Sequence, residues 1–221
     1  MEIYNISIDG PSGSGKSTIA KRLSKTLNIK YLDTGAMYRG IAYYIHKKGI
    51  DVSDVPAVIE NIKDISMDIY YEGEKQKVIV DGEDVTPYIR ENIVSMLAST
   101  VSKIKEVREK LVSLQREIAS KESIILDGRD IGSYVLPDAD YKFYMTADVE
   151  ERAKRRYLEL KDKKDVTLEI VKQEMIARDE QDSNRAFAPL CVPNGAYVID
   201  TTNMTIEEVI DIIKNKIDKN N

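Results

Sequence analysis

The sequence predicts an α/β fold: a five-stranded parallel sheet covered by helices, with a small β-rich insertion. Three observations lead there. Short apolar runs alternate with longer segments of helical period. The runs are continuously rather than alternately apolar, as strands buried on both faces of a parallel sheet must be. Three of them stop at an aspartate followed by Gly or Thr (Asp33, Asp127 and Asp200). In open parallel sheets the ligand crevice lies beyond the carboxyl ends of the strands, where those acids sit.

Taken in order, Ile3 to Ile8 reads as the first strand, followed by a glycine-rich turn and a helix over Lys16 to Leu27. Ile29 to Leu32 is the second strand. From Asp68 to Val85 the rhythm changes: Ile69-Tyr70-Tyr71 and Val78-Ile79-Val80 flank glycine turns, predicting a small antiparallel meander inserted into the core. Apolar residues from Val94 to Ile118 recur every three or four positions, predicting one long amphipathic helix or two end to end. Ser123 to Leu126, Tyr141 to Met145 and Ala196 to Ile199 complete the strands, and Thr205 to Ile217 is a final amphipathic helix.

The chain of 221 residues suits a single domain with a core of its own. Its one cysteine, Cys191, cannot close an internal disulfide, which fits a reducing compartment. No apolar run approaches a membrane span, and Met1 to Asn5 lacks the basic and apolar regions of a signal peptide. A cytoplasmic monomer is the expectation. The net charge of −5 argues against broad nucleic-acid binding, which needs a basic surface, but leaves room for one small phosphorylated ligand held by a local arginine cluster.

The strongest motif is Gly10-Pro11-Ser12-Gly13-Ser14-Gly15-Lys16-Ser17, with Thr18 behind it, set between a predicted strand and a predicted helix. Its glycines let successive backbone N–H groups turn inward onto phosphate oxygens, and the helix aims its positive end at the same anion. Lys16 is placed to reach the β- and γ-phosphates of ATP, and the Ser17 hydroxyl to join a Mg²⁺ shell. Asp127, at the end of a buried strand, is a candidate to support Mg²⁺ through water. Gly128 then permits a sharp turn that carries Arg129 and Asp130 over the crevice; the alternative is a type I turn with a surface ion pair.

Arginines recur elsewhere. Arg39 follows Asp33 and Thr34 by one short segment, either beside an acceptor phosphate or solvated on a helix that Asp33 or Thr34 caps. Arg152, Arg155 and Arg156 share a helical face, as do Arg178, Asp182 and Arg185. Singly these read as solvated Glu151–Arg155 and Arg178–Asp182 pairs. Phosphoryl transfer, however, needs several guanidinium forks for the migrating oxygens. His46 is the only histidine, so no histidine-based metal site or triad is available. Asn215-Lys216-Ile217-Asp218 matches a guanine-reading pattern but falls inside a terminal helix instead of after a strand.

Together the glycine-rich loop, Leu32 to Arg39, Asp127-Gly128-Arg129-Asp130-Ile131-Gly132 and Arg178 to Arg185 closely resemble the bacterial cytidylate kinase family, in order and nearly end to end. The resemblance implies a three-layer P-loop NTPase core and transfer of phosphate from ATP to CMP or dCMP with Mg²⁺. It further implies a CORE (about 1–38, 92–150 and 186–221), an NMP-binding region with the β insertion (about 39–91) and a helical LID (about 151–185) that includes Asp162 to Asp165. On this resemblance Ser12, Arg39, Arg129 and Arg185 would hold the CMP phosphate, and Thr34 would also contact CMP. Ser99, Arg108 and Asp130 would address the cytosine, and Arg178 and Asp182 the ribose. Arg155 and Arg156 would reach ATP phosphates on LID closure. Ser99 and Arg108 are nine apart, half a turn out of phase, so both can face the base only if the helix breaks near Ser102 to Lys105. Open alternatives are another small-substrate P-loop kinase, of UMP/CMP, adenylate or shikimate type, and a module that only binds nucleotide.

Overall fold

The computed structural model describes residues 3–160 and 166–219, so the expected LID segment Asp162 to Asp165 lies outside the described residues. The chain divides into two compact units, residues 32–121 forming one and the flanking segments the other. In this division the two helices after residue 91 group with the β insertion.

A five-stranded sheet has the order β2-β6-β1-β7-β8. Its strands are β1 (Asn5–Asp9), β2 (Lys30–Asp33), β6 (Ile124–Gly128), β7 (Tyr141–Thr146) and β8 (Tyr197–Asp200). β1 runs parallel to β6 and β7, and β7 parallel to β8. β1 is buried from Ile6 to Asp9, with Ile6 and Ile8 in the core and Ser7 and Asp9 as buried polar residues. Ile6, Ile8, Ile125 and Phe143 pack with Ile19 and Leu23 of α1 (Lys16–Leu27) and with Val209, Ile213 and Ile217 of α8 (Ile206–Asp218) in one core cluster. A second cluster, Ala153, Val171 and Met175, joins α6 (Val149–Leu160) to α7 (Leu168–Asn184).

The other unit opens with α2 (Thr34–Lys47), which packs against α4 (Asn92–Val101) through Ala42, Val94, Ala98 and Val101. β3 (Met67–Glu72), β4 (Lys75–Val80) and the short β5 (Glu83–Asp84) form the antiparallel meander that the glycine turns predict. The sequence reading does not place α3 (Val55–Ile62), although Asp54 accepts from Ala57 N–H at 3.1 Å and Pro56 sits in the first turn, ordinary start signals. Of the two expected alternatives the helical stretch takes the broken one: α4 ends at Val101 and α5 (Lys105–Ala119) begins after three intervening residues. No proline causes the break. Arg108 Nη1 donates to the Ser102 carbonyl at 3.3 Å, satisfying an acceptor at the end of α4.

Candidate active site

β1 delivers the chain to the phosphate loop through Gly10, at φ 145°. A Cβ there would lie 1.9 Å from the Met145 carbonyl oxygen, so only glycine can begin the turn. Gly15 caps α1 with φ 88°, and no side chain blocks the first N–H groups of that helix. Lys16 is buried and its Nζ is drawn into the loop, donating to the Pro11 carbonyl at 2.6 Å and to Ser14 Oγ at 3.3 Å. Burial, and then the Arg129 guanidinium, hold its ammonium well below the usual lysine range, against the pull of Asp127, Asp9 and Asp179. Ser17 and Thr18, by contrast, are exposed.

Ser17 Oγ donates to Asp127 Oδ2 at 2.7 Å, while the Tyr31 hydroxyl donates to Oδ1 at 2.7 Å. This is a hard-oxygen pair suited to Mg²⁺, which keeps its waters and takes one or two carboxylates plus substrate phosphates. Among the described residues no group of three or more His, Cys, Asp or Glu could form an all-protein metal cage. The donor set fits an ion shared with a nucleotide.

Gly128 does not make the expected turn: it is the last residue of β6, in register with Asp9 and without a positive φ, and the chain bends one residue later, at Arg129 and Asp130. Arg129 Nε then donates to Asp182 Oδ2 at 2.9 Å. Asp182 also meets Arg185 at 3.7 Å, and Arg185 reaches Asp130 Oδ1 at 3.5 Å. Arg129, Asp130, Asp182 and Arg185 thus form one alternating cluster of charge with side chains 19% exposed or less. Arg185 lies just past the end of α7, and its Nε is fixed by the Ala188 carbonyl at 2.8 Å. Arg178, on the same helix, is exposed.

The two LID-side arginines part company. Arg155 donates to the carbonyls of Thr201 (2.8 Å) and Thr202 (3.3 Å) and to Glu151 (3.1 Å), whereas Arg156 is exposed and pairs with Glu159 at 2.7 Å. In the phosphate loop, Ser12 is held at both its backbone groups by residues of the expected LID region. Its N–H donates to Asp179 Oδ1 at 2.9 Å and its carbonyl accepts from Arg152 Nη1 at 2.8 Å.

In the other unit Asp33 caps α2, accepting from Ala36 N–H at 2.9 Å, and binds Arg39 and Arg90 at 3.0 Å each. Gln76 of β4 clips the Asp33 backbone at its N–H (2.7 Å) and its carbonyl (3.2 Å), so the β insertion fixes the start of α2. Arg39 is therefore paired rather than solvated, and its Nε is buried with no hydrogen-bond partner. Thr34 is buried in the first turn, and Ser99 is half-buried on α4. Arg108 is buried, with its guanidinium 5.5 Å from the centre of the Tyr38 ring.

Against this geometry, residues 6–219 match the family described as cytidylate kinase. The chain belongs to the cytidylate kinase family. It is 52% identical over 213 residues to a protein named cytidylate kinase from Clostridioides difficile, covering 96% of this chain and 97% of that one. A namesake from Caldicellulosiruptor saccharolyticus is 51% identical, covering 95% and 93%. Among solved structures, a shikimate kinase from Acinetobacter baumannii superposes with a TM-score of 0.50 at 18% identity, covering 99% and 94%, a likeness of fold alone.

The sequence motifs assign no site role to four residues that this geometry places in the network, Asp9, Arg90, Arg152 and Asp179, although Arg152 is noted there on its helical face. Asp9 carried a usable signal, since Asp9-Gly10 repeats the strand-end pattern of Asp127-Gly128. Asp179 sits inside the quoted Arg178–Arg185 motif, but nothing in its spacing announces a bond to Ser12.

Proposed function

We propose that this chain transfers the γ-phosphoryl group of ATP to CMP and dCMP, by direct in-line attack of an acceptor phosphate oxygen. The observation that carries this reading is the cluster of Arg129, Asp130, Asp182 and Arg185 in the same unit as a complete phosphate loop. A nucleotide-binding module has use for the loop, but not for a second set of paired guanidinium groups.

In this reading the inward N–H groups of Gly13 to Ser17 and the Lys16 ammonium hold the donor phosphates, and a bound polyanion restores the proton affinity that burial removes from Lys16. Ser17 and Asp127 hold Mg²⁺, which supplies charge neutralisation to the β- and γ-phosphate oxygens. Arg129 and Arg185, with Arg39 and Ser12, orient the acceptor phosphate, and Thr34 also contacts CMP; the carboxylate partners of the arginines keep them preorganised until an anion replaces those contacts. Asp130 accepts from the exocyclic amine of cytosine and repels the oxygen that uracil places there, in company with Ser99 and Arg108. Arg178 and Asp182 take the ribose. Arg155 and Arg156 serve the donor phosphates, and Arg155 has first to leave the carbonyls of Thr201 and Thr202. No side chain acts as a covalent nucleophile. The enzyme works as a cytoplasmic monomer without nucleic acid.

An acceptor panel of CMP, dCMP, UMP, AMP, GMP and shikimate with ATP and Mg²⁺ tests this. The expected order puts CMP and dCMP first. Preference for AMP or shikimate would remove the cytosine assignment, and stoichiometric ATP binding without turnover would favour a module.

A further inference from the structure

β1 ends on Asp9, a fully buried carboxylate directly before the phosphate loop. Both its oxygens are engaged by backbone: Ile131 N–H donates to Oδ1 and Gly132 N–H to Oδ2, each at 2.7 Å. Those two donors open the π-helical turn Ile131–Val135 and immediately follow Arg129 and Asp130. A Cβ on Gly132 would lie 2.6 Å from Ser7 Oγ and 3.1 Å from Pro193 Cγ, so a larger residue there must displace a neighbour or move its own backbone away from β1. On its other side Asp9 is in register with Gly128 of β6 and Tyr144 of β7. The strand that launches the donor loop thus grips the exit of the turn carrying the acceptor-side arginine and acid. Bonds from N–H to a carboxylate are short and roughly twice as strong as neutral ones, so this grip is a stiff one.

We propose that Asp9 is a positioning residue that sets Arg129 and Asp130 relative to the phosphate loop, and thereby governs acceptor affinity and base selectivity without touching either nucleotide. The proposal rests on the acceptor roles given above to Arg129 and Asp130. Asp9→Asn is its sharpest probe. The amide keeps the shape but offers one acceptor where two are used, and its NH₂ meets a second N–H donor.

With ATP saturating, Asp9→Asn is expected to raise KM for CMP about 10- to 100-fold, the loss typical of a hydrogen bond to a charged group. The ratio of kcat/KM for CMP over UMP falls with it, while KM for ATP stays within about twofold, as differential binding requires. Gly132→Ala, which pushes the same N–H away while leaving the carboxylate intact, reproduces the acceptor defect and reports even if the asparagine variant does not fold. Equal rises in both KM values, or no change in either, would overturn the positioning role. Arg129→Lys and Asp130→Ala run alongside separate the two readings. If they leave KM for CMP and the CMP:UMP ratio untouched, the acceptor roles themselves fail. If they move both and neither Asp9→Asn nor Gly132→Ala does, only the role of Asp9 fails.

Discussion

Buried charge is concentrated around the candidate site. Lys16, Asp9, Asp127, Asp130, Arg152 and Asp182 are all buried, a state that costs heavily unless partners are supplied, and most of the hydrogen bonds described above are those partners. Asp9 shows the cost. Burial outweighs its two backbone donors and pushes its carboxyl up to about 7, with Asp130 adding to the rise and Lys16 opposing it. An acid whose pKa is raised on folding is bound more tightly by protons in the folded state. Its contribution therefore declines as pH climbs from the ordinary carboxylate range towards 7, and is lowest above it. Relative to Asp9→Asn, the wild-type chain should lose stability across that window at up to about 1.4 kcal/mol per pH unit. Thermal unfolding of both proteins between pH 5 and pH 8 checks this, and parallel pH curves would contradict it. The sequence offers only the Asp9-Gly10 pair as a signal, because burial and its cost cannot be counted there.

Elements were far more legible than contacts. The five strands and the helix after the phosphate loop lie within a residue or two of where apolar runs and glycines place them, because a two-sided sheet leaves little choice of pattern. The break between α4 and α5 was harder, since no proline or glycine records it; the Ser102 carbonyl left at the break is satisfied by the Arg108 side chain. α8 is a case where the local code is complete. Thr205 Oγ1 accepts from Glu208 N–H at 3.3 Å and Glu208 returns a carboxylate to Thr205 N–H at 2.7 Å, a reciprocal capping box. Thr205→Ala should cost about 1 kcal/mol and lower the Tm by roughly 2–4 °C with kinetics unchanged. A thermal melt beside a standard turnover assay checks both halves of that statement.

Across the whole molecule, chain connectivity distributes the work. One unit carries the phosphate loop, the Asp127 turn and helices α6 and α7, so donor groups, Arg129 and Arg185 share a framework. The other carries Arg39, Arg90, Ser99 and Arg108 on α2, α4, α5 and the segment before α4, organised around Asp33 and the β insertion. The sequence motifs named most of these residues but not their present partners. Arg155 on the Thr201–Thr202 carbonyls and Arg156 on Glu159 are arrangements that spacing alone could not reveal. Membership of the cytidylate kinase family then narrows the acceptor from phosphorylated metabolites at large to a cytosine nucleotide.

The most direct measurement follows label from ATP carrying ³²P at its γ position, with CMP and Mg²⁺, in the wild-type protein and in Lys16→Ala. Direct transfer predicts label in the β-phosphate of CDP with none retained on the protein, and a loss of roughly 100-fold or more in Lys16→Ala at native circular dichroism. Label released only as inorganic phosphate, label trapped on the chain, or near-normal turnover in Lys16→Ala would contradict it.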